Sequence, residues 1–353
     1  MKLKTLQLVP AMEQGGVESV VLNLNRALAR AGHESVVVSS GGRLVDALAA
    51  DGGRHVRLDL KSKNPLTAIP RAFALRALLR RERPDVVCAH SRVPAWLFVL
   101  ANRALGLKWV SFAHGANSVS AYSSVMARGD LVAAPSKFLA DFLLANYPHV
   151  RASAPLADRL RILSPCVDLD RFDPDRLDRD FVAACRREWG AAEGVFVSMA
   201  VGRLTPVKGL DSLVRDFAAR SSGRRDRLLV LVGGEDRRHR GYVASLRRLA
   251  AELGVGGQVV FAGVQEKIPE CLSIADEVVS ANVEKPESFG LSVAEALAMN
   301  RRVRLFRHFG GAAEIVDAVA AVQASSPREA VRSLYSFDKF AARAVELFQE
   351  ASK

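Results

Sequence analysis

Short apolar runs rich in β-branched residues alternate with amphipathic stretches along the whole chain, and this alternation points to parallel sheets covered by helices. Five such runs occupy residues 3–9, 34–39, 85–89, 108–113 and 130–134, and five more occupy 195–201, 228–232, 258–261, 277–280 and 303–306. Between the two series, residues 164–180 are rich in Asp, Arg and Pro and lack helical periodicity, as a linker would. A chain of 353 residues also exceeds what one hydrophobic core usually fills. The reading is therefore α/β, with one Rossmann-like domain over 1–164 and another over 165–336. Residues 337–353 hold a last helix whose apolar positions must dock on something larger. Parallel sheets bind ligands beyond the carboxyl ends of their strands, so two such domains facing each other place the expected site in a central cleft.

Composition narrows the functional classes. Hydrophobic residues at 49% and charged residues at 25% describe a globular chain. Gln7 and Glu13 interrupt the first apolar stretch before it could form a signal-peptide core, and the apolar run 93–101 stops at Asn102 and Arg103, far short of the roughly 20 residues a spanning helix needs. Cys88, Cys166, Cys185 and Cys271 are too scattered for a disulfide framework or a zinc knuckle. A cytoplasmic location is expected. The charge is asymmetric: residues 1–164 carry 22 Lys and Arg against 11 Asp and Glu, whereas residues 165–353 carry 28 against 27. The first half should therefore meet an anionic partner: nucleic acid, an acidic lipid surface or a phosphorylated glycan. Aromatic residues are only 7% and no stacking motif accompanies the charge, which disfavours nucleic acid. The segment 66–83 sets Leu66, Ile69, Phe73, Leu75, Leu78 and Leu79 among Arg71, Arg76, Arg80, Arg81 and Arg83, as a helix lying on a membrane would, although a sheet-covering helix gives much the same pattern.

Four segments can carry chemistry. Gln14-Gly15-Gly16-Val17-Glu18 follows the first strand and opens a helix, where glycines allow close approach and free amides attract an anion. A tight turn with no ligand fits equally. Gly202 to Gly209 reads GRLTPVKG, with Arg203 and Lys208 placed to grip a diphosphate from two sides. The run from Pro286 to Ala296 carries Glu287 on a loop and Glu295 about two turns along the helix that follows. His114 ends the strand 108–113, where it can donate to a sugar oxygen or serve as a structural histidine. The seven histidines show no HExxH or paired-ligand spacing, so no metal site is expected.

In this order the segments resemble the family-4 retaining glycosyltransferases of the GT-B fold. The most specific matches are GRLTPVKG and ESFGLSVAEALA, in which Glu287 and Glu295 stand at the family's double-glutamate spacing. SPCVDLDRFDP, residues 164–174, looks like the family's crossover segment. SRVPAW, FAHG and VMARGD look like bacterial members that build the lipopolysaccharide core. The resemblance implies two Rossmann-like domains, with the C-terminal helix crossing back to the N-terminal one. It implies a UDP- or GDP-sugar donor, a lipid-linked or lipopolysaccharide-core acceptor, an anionic membrane surface as a partner at the inner face of the cytoplasmic membrane, and no nucleic acid. No metal or other cofactor is implied. Gly16 would offer its amide to the donor phosphates while Arg203 and Lys208 neutralise them. Glu295 would hold the ribose, and the backbone at Phe289, Gly290 and Leu291 would meet the diphosphate or sugar. Glu287 would contact the transferred sugar, His114 its far hydroxyl or the departing phosphate, and Glu18 would lie toward the acceptor. One departure is Asn300-Arg301-Arg302, where the family usually shows a glycine and then a proline. The rival reading is a non-catalytic GT-B-shaped protein that binds nucleic acid or an anionic surface.

Overall fold

The computed structural model describes residues 2–13, 15–150, 154–236, 239–282 and 285–353. The chain divides into two compact units, one of Met1–Cys166 with Phe337–Lys353 and the other of Val167–Ser336. The first holds seven parallel strands: β1 (Lys4–Leu8), β2 (Glu34–Ser39), β3 (Arg54–Arg57), β4 (Val86–Ala89), β5 (Lys108–Phe112), β6 (Leu131–Ala134) and β7 (Leu160–Ile162). Their order is β3-β2-β1-β4-β5-β6-β7. The chain moves outward from β1 to one side, then returns to add β4 on the other. That reversal sets the loops after β1 and β4 beside each other at the strands' carboxyl ends, the usual ligand position in such sheets.

Apolar residues alternate to both faces of the sheet. On one face, Val20, Leu24 and Leu28 of the helix Gly16–Arg30 pack with Phe340, Leu347 and Phe348 of the last helix, Phe337–Ala351. That last helix therefore crosses back to the first unit, and Arg30 stacks over its Phe337 ring at 4.8 Å. On the other face lie the helices Ala68–Glu82 and Arg92–Asn102. Here the reading of 66–83 as one membrane-facing helix needs correction. Leu75, Leu78 and Leu79 are buried against the sheet. The guanidinium of Arg71 donates to the carbonyls of Thr67, Ser62 and Asn64 at 2.9–3.1 Å, and that of Arg76 to Ala101 and Leu100 at 2.8 and 3.0 Å. Only Leu66, Ile69 and Phe73, at 85%, 65% and 63% exposure, form an outward apolar row. Among the described residues no helix is long and apolar enough to cross a membrane.

The second unit holds β8 (Phe196–Val201), β9 (Arg227–Val232), β10 (Val259–Gly263), β11 (Glu277–Ser280) and β12 (Arg302–Leu305), all parallel, in the order β10-β9-β8-β11-β12. The reversal now falls at β8 and β11, so the loops after those two strands become neighbours. Arg328 is buried, and its guanidinium donates to the carbonyls of Phe172, Ala298 and Leu169, tying the segment after the unit boundary to the helix Leu291–Ala298. The departure at Asn300 has a local explanation: φ is 54°, a left-handed conformation that asparagine tolerates better than most residues, and its Oδ1 accepts from the Arg328 amide at 3.0 Å. Asparagine thus takes the glycine's place at the end of that helix. All four cysteines are free and buried.

Candidate functional site

In the second unit a cavity opens between the loops after β8 and β11, lined by Gly202, Arg203, Lys208, Asn282, Glu287 and Ser292 among others. Lys208 closes the short 3-10 turn Pro206–Lys208, and Gly209 follows it with φ 63°. A Cβ on Gly209 would lie 2.1 Å from the Ala281 carbonyl oxygen, so only glycine lets the two loops meet. Asn282 braces the contact by donating through Nδ2 to the Val207 carbonyl at 3.2 Å. The loop carrying Glu287 is held from behind: the Gly311 amide donates to the Glu287 carbonyl at 2.8 Å, and a Cβ on Gly311 would lie 2.6 Å from the Phe289 Cα.

The structure joins Lys208 and Glu287 in an ion pair, both partly exposed in this cavity. Arg203 is 70% exposed and pairs instead with Asp236 at 3.0 Å. Both cations expected on phosphate are therefore engaged by carboxylates within the unit. Neither Asp236 nor Asn282 was anticipated, and residue type alone offered no signal for either. Phe289 is buried and meets Tyr335 edge-on at 5.5 Å, and neither it nor Gly290 or Leu291 lines the cavity. Gly290, with φ 100°, caps the helix Leu291–Ala298. Glu295 stands four residues into that helix, about one turn and not two. It does not line the cavity that Glu287 lines. Its carboxyl has no hydrogen-bond partner among the described residues, and crowding by protein atoms, opposed by Arg171, pushes it up to about 8 although part of its surface stays open.

In the first unit Gly16 is exposed at the start of its helix. Gln14 lies outside the described residues. The Glu18 carboxylate folds back over Gly15, with Oε2 2.6 Å from where a Cβ on that glycine would be, so the amide end of the helix is faced by an acidic group of its own. His114 follows β5 and is half-buried. Its Nε2 lies 3.1 Å from Nδ1 of His90, which follows β4. His90 is buried and stacks on Phe112 with ring centroids 4.7 Å apart. Its Nε2 lies 3.2 Å from Oε1 of the buried Gln7, whose Nε2 reaches Ser35 Oγ at 3.2 Å. Burial holds both imidazoles neutral, His90 well below the ordinary histidine range and His114 near 4. His90 escaped the sequence reading, yet it closes its strand as His114 closes the next one, and that repetition was a usable signal. Among the described residues no group of three or more His, Cys, Asp or Glu is arranged to hold a metal ion.

Comparison with known proteins agrees with this arrangement unit by unit. Residues 14–171 match the model of Glycosyltransferase Family 4, and residues 183–335 match that of Glycosyl transferases group 1. A D-inositol 3-phosphate glycosyltransferase of Nocardia farcinica is 38% identical over 40% of this chain, a match spanning 31% of that protein's length. A D-inositol 3-phosphate glycosyltransferase 2 of Catenulispora acidiphila is 28% identical over 86% of this chain and 77% of its own. A glycosyltransferase of Rickettsia africae superposes with a TM-score of 0.82 at 25% identity, covering 100% of this chain and 99% of that one. The Anabaena protein HepE, in complex with UDP-glucose, gives 0.80 at 18% identity over 99% of this chain and 100% of the other. WaaG, a glycosyltransferase involved in lipopolysaccharide biosynthesis, gives 0.66 at 19% over 99% and 98%.

Proposed function

For a chain that is a glycosyltransferase of the GT-B type, as the two matched models and the fold make this one, we propose transfer of a sugar from a UDP- or GDP-sugar to a hydroxyl of a lipid-linked or lipopolysaccharide-core acceptor, with the anomeric configuration retained. The observation that carries the reading is in the second unit: an ion-paired Lys208 and Glu287 in a cavity at the strands' carboxyl ends, with Glu295 eight positions on and without a hydrogen bond to its carboxyl among the described residues. The nucleotide diphosphate competes for Lys208 and Arg203, drawing them from Glu287 and Asp236, and both cations stabilise the charge that builds as the glycosidic bond breaks. Glu287, released from Lys208, faces the sugar on which positive charge develops. Glu295 takes the ribose hydroxyls. Two side-chain cations supply the positive charge at the diphosphate, so transfer should persist in EDTA. Rescue of a lost activity by magnesium or manganese would refute that clause.

The acceptor side rests on the first unit. Its surplus of cations and the exposed row Leu66, Ile69 and Phe73 suit an acceptor held at an anionic membrane. A second acceptor, a small polyol phosphate, is favoured by the names of the D-inositol 3-phosphate relatives together with a cavity lined by Ser40, Arg57, Asp59, Lys61 and Ser62, where two cations could take a phosphate. Thermal unfolding with UDP, GDP and their sugars tests the donor, because a ligand that binds only the folded chain raises its stability. Labelled transfer to membrane lipid extract or to inositol phosphate then separates the acceptors. Failure of every nucleotide to bind would return the chain to the rival class of non-catalytic binding proteins.

A further inference from the structure

The four polar side chains Ser35, Gln7, His90 and His114 form an unbroken file through the first unit, and the file has a direction. Gln7 is fully buried, and its amide is oriented by donating through Nε2 to Ser35 Oγ, which turns the carbonyl Oε1 toward His90. An amide oxygen only accepts, so His90 Nε2 carries the proton of that bond. His90 is 3% exposed and faces a second imidazole, an arrangement that cannot hold two cations, and a neutral ring protonated at Nε2 has a bare Nδ1. The bond at 3.1 Å to His114 must then be donated by His114 Nε2. The burial that keeps both rings neutral agrees with this assignment. His114, neutral and protonated at Nε2, is left with a bare Nδ1, which has no partner among the described residues, on a half-buried ring.

We propose that Gln7 and His90 are positioning residues that lock His114 as its Nε2–H tautomer, so that the ring meets substrate through Nδ1 as a hydrogen-bond acceptor. This rests on the reading of His114 as a donor-sugar contact and reverses one part of it: the ring does not donate to a sugar oxygen. A bare imidazole nitrogen accepts from a hydroxyl and repels the lone pairs of a phosphate oxygen. Of the two partners expected for His114, the geometry therefore selects a sugar hydroxyl over the departing phosphate. It also makes the contact selective, because an acceptor held in one orientation loses its bond when the facing hydroxyl is deoxygenated or methylated.

The test is long-range proton–nitrogen correlation spectroscopy on the ¹⁵N-labelled full chain at pH 7, with His114 assigned by the signals that vanish in His114→Gln. The expected spectrum of the wild-type protein shows His114 protonated at Nε2 and bare at Nδ1. In His90→Phe, which keeps a flat ring against Phe112 but removes the acceptor, the same residue should show a mixture of both tautomers. Turnover should fall in proportion to the share of molecules that leave the Nε2–H form, about twofold for an even mixture, while KM for the donor changes little. A wild-type His114 protonated at Nδ1, or a tautomer unchanged by His90→Phe, overturns the proposal. The wild-type spectrum needs no variant to fold and no substrate. If His114→Ala retains full turnover, the placing of His114 at the sugar fails, and that result stands apart from the spectroscopic one.

Discussion

The raised carboxyl of Glu295 turns its assignment to the ribose into a pH-dependent affinity. A group with a pKa of about 8 is ionised in only about one molecule in ten at pH 7. If the carboxylate is the form that accepts the ribose hydroxyls, binding must first remove the proton, and apparent affinity follows the ionised fraction. Between pH 7 and pH 9 the dissociation constant of a nucleoside diphosphate should therefore fall about tenfold, or about 1.4 kcal/mol. Glu295→Gln cannot ionise. At pH 7 it replaces a mostly neutral acid by a neutral amide and should bind within a few-fold of wild type, falling behind by about tenfold at pH 9. Isothermal titration with UDP and GDP across this range decides the matter, since the secondary phosphate ionisation near 6 lies below it and any titration of the ligand appears in both proteins alike. A shared slope, or a wild-type affinity that worsens as pH rises, refutes the reasoning. Stability gives a ligand-free control. The folded chain retains a proton on Glu295 that the unfolded chain releases above about 4.5, so unfolding free energy should decline as pH rises from there toward 8, and the variant should lack this decline.

Three further outcomes follow from the geometry. Glu287→Gln should lower turnover by about 100-fold while nucleoside diphosphate affinity holds or improves a few-fold, because Lys208 no longer has to leave an ion pair; parallel losses in steady-state kinetics and titration would contradict this. Replacing Ile69 and Phe73 by Ser should abolish co-sedimentation with anionic vesicles and spare transfer to a water-soluble acceptor, whereas binding that ignores anionic lipid and salt sinks the membrane assignment. His90 and His114 stay neutral in the folded chain where the unfolded chain binds protons, so stability should fall as pH drops from about 6.5 toward 4; His114→Gln should flatten that fall in denaturant titrations.

How far the sequence could be read depended on the range of the interaction in question. Ten of the twelve strands announce themselves as apolar runs, but β3 and β7 do not: RHVR and LRI lie at the two edges of their sheet, where one side needs no apolar cover and the strand is short. The turn chemistry around Gly209 and Gly290 was equally local. Helical spacing showed that residues 66–83 were amphipathic, yet it could not tell a core-facing leucine from an outward one, because both faces of that helix carry apolar side chains. The ion pairs of Lys208 and Arg203 were invisible for a different reason. Their partners lie 79 and 33 residues away, and only the neighbouring of β8 with β11 and β9 brings them within reach.

The file from Ser35 to His114 shows what the missing link is. Its members belong to β2, to β1, and to the residues just after β4 and β5, which are scattered over more than one hundred positions of chain but are four successive places across the sheet. Residue type and strand ends can be read without coordinates, whereas strand order cannot. With the order β2-β1-β4-β5 in hand, a buried Gln on one strand and a His at the end of each of the next two are immediate neighbours, and the direction of the proton file follows from the amide oxygen alone. The chemistry of this unit is thus written in ordinary residues whose meaning depends on adjacency. A histidine that looks like a donor by its type becomes an acceptor through two neighbours, one of them a glutamine more than one hundred residues earlier in the chain.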